Sequence, residues 1–152
     1  VLLSKGKIEK SAATLVLPQA FMNRSGKAVA EFARSKASLK KVIVVYDDMD
    51  LPLGAVKIAF GRSSGGHRGL ESVIKALKTK DFIRVRLGVA PLSSAGKIKK
   101  PRGEEAVIKF LLSNFNKKEE DQIPAISEKF IDAVKALLKD GLPKTMSLFN
   151  RN

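Results

Sequence analysis

Apolar positions along the chain fall into two rhythms, and their alternation predicts strands interleaved with helices. Val42, Ile43, Val44 and Val45 form an unbroken β-branched run, which suits an interior strand covered on both faces. Val56, Ile58 and Phe60 alternate with Lys57 and Ala59, as in a half-buried strand. Val85, Leu87 and Val89 alternate with Arg84 and Arg86, predicting a further strand over Phe82–Val89 with two outward arginines. Near the start, Val1–Leu3, a Lys5-Gly6-Lys7 turn and Ala13–Leu17 read as a hairpin.

Helical spacing occupies the intervals. Val29, Phe32 and Ala33 give one face of a helix from near Ser25, and Leu70, Val73, Ile74 and Leu77 follow i, i+3, i+4, i+7. Glu104 to Leu112 makes a short helix through Val107, Ile108 and Leu111. A longer one is predicted from about Lys117 to Leu138, burying Ile126, Phe130, Ala133 and Leu137 and ending at Gly141 and Pro143. Thr145–Phe149 reads as a terminal turn. This order implies a single α/β domain over residues 1–152, a three-layer α/β/α sandwich around a twisted mixed β-sheet, mixed because the early hairpin is antiparallel.

Candidate chemistry gathers where strands end. Asp47, Asp48 and Asp50 directly follow the β-branched run, and Pro52 and Gly54 then turn the chain. Ligands of open α/β sheets bind outside the carboxyl ends of strands, which makes Asp47, nearest the strand end, the first candidate carboxylate. A solvated acidic turn accounts for the same residues. Phe21, Met22 and Asn23 lie in a strand-to-helix loop, where Asn23 is equally a helix cap and Phe21 and Met22 equally core. The loop GRSSGGHRG, residues 61–69, precedes a helix and can hold phosphate on backbone N–H groups, although it is neither a P-loop nor GxGxxG. His67, the one histidine, sits in it. A lone His is more often structural, yet a Gly-flanked basic position is unlike a packed core, so both readings stay open.

Charge narrows the partner. The net charge is +14, and Lys57–Arg102 holds 12 Lys or Arg against two acids, +10 of the total. Such segregation points to phosphate contact with a polyanion such as nucleic acid. One Tyr and no Trp make base stacking a weaker expectation. The absence of Cys fits a reducing, cytoplasmic setting, and no apolar run is long enough for a membrane span. Residues 91–103, rich in Lys, Ser and Gly, are expected to form a mobile basic loop.

The motifs FMNRSG (21–26), YDDMDLPLG (46–54), SSGGHRGL (63–70) and FIRVRLGVAP (82–91), in this order and spacing, resemble the bacterial peptidyl-tRNA hydrolase family over essentially the whole chain. The resemblance implies hydrolysis of the ester between peptide and tRNA, recycling tRNA in translation, by a monomer with no metal or organic cofactor. It implies that Asp47 orients a catalytic histidine and that Asn23 binds substrate in a cleft lined by Phe21 and Met22. His67 matches the histidine of the family's GGH loop, and Arg86 matches a contact to tRNA phosphate. Arg68 stands where the family usually has a substrate-contacting asparagine, and Ala59 where a basic residue usually helps clamp phosphate, for which Arg62 is a candidate substitute.

The family's catalytic histidine and the Gly-Asn-Pro-Gly turn before it match nothing in these 152 residues, and the first strand of the sheet is likewise missing. The expectation is an N-terminally shortened hydrolase, inactive alone, in which Asp47 has lost its partner and His67 is too mobile to replace the base. Asp48 and Asp50 are expected to tolerate substitution. A non-catalytic RNA-binding relative is the alternative.

Overall fold

The structure is a computed structural model and describes residues 1–151, the Lys36 side chain excepted. Its main sheet has three strands, β3 (Ile43–Pro52), β4 (Val56–Phe60) and β5 (Ile83–Ala90), in the order β3-β5-β4. β3 runs parallel to β5, and β4 antiparallel. The sheet is therefore mixed because of β4. The early hairpin, β1 (Leu2–Ile8) with β2 (Ser11–Leu17), pairs only with itself as a separate two-stranded sheet. Its turn is at Glu9 and Lys10, where Glu9 takes a φ of 53°. Gly6 instead lies within β1 opposite Ala13, since a two-residue turn sets the register and leaves no room for a turn at Lys5–Lys7.

Among the described residues the β-branched run lies at the edge of the sheet: β3 is paired there with β5 alone, and Val45 is 42% exposed. The interior position belongs to β5, where Val85 and Ala90 are fully buried.

Helices cover both faces, giving the expected three layers. On one side α1 (Ser25–Ala30) and α3 (Arg68–Leu77) enclose a core of Ala33, Leu70, Val73, Leu77 and Phe82. On the other, α6 (Ile123–Asp140) and α7 (Leu142–Phe149) pack Ala133 and Leu137 against Val56, Ile58 and Val85. The period-2 alternation of β5 turns Ile83, Val85 and Leu87 together into this second core. Contact of α1 with α3 depends on Gly26, whose N–H donates to Ser72 Oγ at 3.0 Å and where a Cβ would lie 2.1 Å from the Ser72 carbonyl oxygen.

A four-residue helix, α2 (Lys36–Leu39), precedes β3, and α4 (Glu104–Leu111) follows the basic loop. The predicted long helix is broken: α5 (Lys117–Glu120), opened by an Asn116–Glu119 capping box, ends at Asp121, and α6 starts afresh with Pro124 in its first turn. Proline lacks the N–H that a continuing helix would use, so it begins a helix readily and prolongs one poorly. The expected terminal turn is the eight-residue α7, again opened by a proline, Pro143. Asn150, just beyond it, completes the outer edge of β4 by accepting from the Ile58 N–H and donating to the Ile58 carbonyl, both at 2.9 Å. Within residues 91–103, Leu92 and Ile98 form an antiparallel bridge, giving part of the basic loop local structure.

Candidate active site

His67 is the N-cap of α3, and this fixes its ring. Its Nδ1 accepts the Leu70 N–H at 3.1 Å, while Nε2 lies 3.2 Å from Asp47 Oδ1. With the Nδ1 lone pair engaged, the neutral ring carries its proton on Nε2 and donates it to the carboxylate. The Tyr46 ring meets the imidazole edge-on, with centroids 5.0 Å apart. Expectations of an unpartnered Asp47 and a mobile His67 are thus corrected: each holds the other, because the cap pins the imidazole although Gly65 and Gly66 precede it at positive φ. Gly69 admits this packing, since a Cβ there would stand 2.7 Å from Met22 Cγ and 3.0 Å from His67 Cε1. The hydrogen bond from His67 draws the Asp47 carboxyl below its ordinary range, against the opposing effect of burial.

The remaining aspartates are also engaged. Asp48 Oδ2 receives Arg86 Nε at 2.6 Å, and its Oδ1 accepts the Asp50 N–H at 2.7 Å. Asp50 pairs with Lys100 of the basic loop, and Arg68 at the start of α3 pairs with Glu104 at the start of α4. Neither β5 arginine faces out as the alternation suggested. Both lie on the sheet face under α3, where Arg84 is 1% exposed and donates to the carbonyls of Ser63, Arg62 and Lys80. Burial lowers the pKa of Arg84 and raises that of Tyr46.

These groups surround a cleft of about 600 Å³. Its polar wall includes Asp47, Asp48, His67 and Arg86, and Val107, Ile108 and Leu111 of α4 supply an apolar wall opposite. Of the sequence-predicted site residues, the cleft brings together Met22, Asp47, His67, Arg68 and Arg86. Phe21 is 81% exposed and, with Asn23, is not among the residues lining it. Asn23 does not cap α1 either, because that position falls to Arg24, which makes no side-chain cap bond. Tyr46, Asp48, Arg84, Lys100 and Glu104 escaped sequence reasoning. For Tyr46 and Asp48 a signal existed: continuing the period-2 pattern of β3 from Val44 places both on the core face with Arg84 and Arg86.

A mixed sheet between helical layers, with an aspartate of β3 paired to a histidine at the start of α3 in one cleft, defines an α/β protein with a polar site over the sheet. Comparison with known proteins narrows the class. Residues 1–152 match the family described as peptidyl-tRNA hydrolase. The peptidyl-tRNA hydrolase of Syntrophotalea carbinolica is 34% identical over 150 residues, covering 98% of this chain and 74% of that protein. That of Citrifermentans bemidjiense is 39% identical over 137 residues, covering 90% and 68%. The crystal structure of peptidyl-tRNA hydrolase from Acinetobacter baumannii superposes with a TM-score of 0.80 at 25% identity, over 96% of this chain and 70% of that one. The chain belongs to the peptidyl-tRNA hydrolase family, as its four motifs led us to expect.

Proposed function

We propose that the cleft holds the ester of peptidyl-tRNA beside Asp47, and that Asp47 acts by orienting a general base other than His67. Hydrolysis requires water to attack the ester carbonyl while a base takes the water's proton and the 3′ oxygen of the tRNA leaves. A neutral imidazole can take that proton only on a ring nitrogen with a free lone pair. The observation that carries the reading is the double engagement of His67: Nδ1 accepts from Leu70, and Nε2 already bears the proton given to Asp47. His67 is then a positioning residue. Asp47 remains 39% exposed in the cleft and can accept a second imidazole, the role the family resemblance implies for it. Arg86 and the exposed cations Arg68 and Lys100 line the same cleft and suit tRNA phosphates; the charge concentrated between Lys57 and Arg102 supports this. Peptidyl-tRNA as substrate makes the cytoplasm the place of action.

Free imidazole tests the proposal directly. The chain alone should release no peptide from an N-blocked aminoacyl-tRNA above buffer, and millimolar imidazole should raise release at least about tenfold above imidazole's own background, within the range of general-base assistance. Asp47→Asn should abolish that rescue. Unaided cleavage by the chain that disappears on His67→Ala would make His67 the base and overturn the reading.

A further inference from the structure

We propose that Arg84 is a positioning residue for the Asp47–His67 pair, acting as a buried strut that holds the loop on which His67 is carried. Arg84 lies on the central strand, directly opposite Val44 on one neighbour and Ala59 on the other. From there its guanidinium donates to the Ser63 carbonyl at 2.7 Å, to the adjacent Arg62 carbonyl, and more weakly to Lys80 at 3.5 Å. Its Cζ sits over the Phe82 ring, 4.8 Å from the centroid, and Phe82 is itself fully buried. The strut therefore has a fixed base and a fixed reach.

Loop 61–67 needs such a hold. Gly61, Gly65 and Gly66 all take positive φ, between 63° and 84°, so the loop has no run of regular backbone to keep its shape. Its own bonds are local: Ser64 accepts the Gly66 and His67 N–H groups through its hydroxyl and carbonyl, and its hydroxyl donates to Glu71. None of these reaches the sheet. Arg84 ties the loop to the strand that is hydrogen-bonded to β3, and β3 carries Asp47, so one side chain relates the two ends of the Asp47–His67 bond. Lysine cannot substitute fully, since one ammonium lacks the planar fork and the flat face for Phe82.

The inference rests on the Asp47–His67 site but not on its substrate, and its test reads the site without turnover. Carbon-13 NMR follows carboxyl titration in the whole chain, and Asp140 serves as an internal reference because Lys144, on the distant α6–α7 corner, depresses its pKa independently. In Arg84→Lys the depression at Asp47 should be lost while that at Asp140 is retained. An unchanged Asp47 overturns the proposal, and so does a parallel movement of both aspartates, which would mean general loosening. If Arg84→Lys does not fold, Phe82→Leu removes the ring beneath the guanidinium and is read in the same way: a selective rise at Asp47 supports the strut, and no rise refutes it.

Discussion

Arg86 Nε and Asp48 Oδ2 lie 2.6 Å apart, their side chains only 24% and 10% exposed, so the arginine proposed to contact tRNA phosphate rests against a carboxylate of its own chain. Asp48 is further committed to the Asp50 N–H, which holds the bend where β3 departs from regular pairing with β5. Whatever its effect on turnover, substitution of Asp48 is predicted to cost stability. Asp48→Asn keeps the shape but removes the charge facing Arg86, and hydrogen bonds to charged groups are worth about 2 kcal/mol. The urea midpoint should fall accordingly, and a loss under about 0.5 kcal/mol would show the pair to be inert.

The same pair enters the tRNA binding proposed above. A phosphate reaching Arg86 must compete with Asp48, yet each phosphate contact made still releases counterions, so affinity should fall linearly on a log–log plot against salt. Arg86→Ala should weaken binding of all tRNAs alike and reduce that slope by about 1. Filter binding between low and moderate salt measures both. A slope unchanged by the substitution would leave Arg86 a structural residue only.

Much of this arrangement was legible in the sequence, and the failures share a cause. Spacing located β4, β5 and α3 because their apolar residues face one core each, whereas Asp47, expected in an acidic turn after the strand, lies within β3, which runs on to Pro52. The position of a strand within the sheet was not legible: Val42–Val45 reads the same at an edge as in the middle, since side-chain type reports burial but not which neighbour supplies it. Arg84 and Arg86 alternated correctly with Val85 and Leu87, but alternation cannot say whether a polar face meets water or, as here, loop carbonyls and Asp48. The Asp47–His67 bond joins residues 20 apart through an N-cap whose geometry no local pattern states.

Packing of α1 against α3 offers a stability test remote from the cleft. Ala in place of Gly26 would gain about 1 kcal/mol from helix propensity. Against this, its Cβ would lie 2.1 Å from the Ser72 carbonyl oxygen and 2.8 Å from Ala76 Cβ, contacts that only separation of the helices can relieve. Overpacking of this kind costs about 3 kcal/mol. The clash outweighs the propensity, so Gly26→Ala should destabilise by about 2 kcal/mol in thermal or urea unfolding.

The Asp47–His67 bond should also appear in the acid limb of stability. Folding lowers the Asp47 pKa from its ordinary 3.8, first through the hydrogen bond given by His67. A carboxyl depressed in the folded state binds fewer protons folded than unfolded, so its contribution is complete above the unfolded value and is lost as pH falls through the folded one. The window therefore lies below pH 3.8. Asp47→Asn removes the titrating group and should flatten the stability profile within this window, displacing it by a constant amount at higher pH. Other depressed carboxyls, Asp140 among them, are common to both proteins and cancel in the difference. Urea unfolding at pH steps from neutrality to the acid limit gives that difference curve. A curve level through the window would mean that the carboxylate gains nothing from His67 in the folded chain.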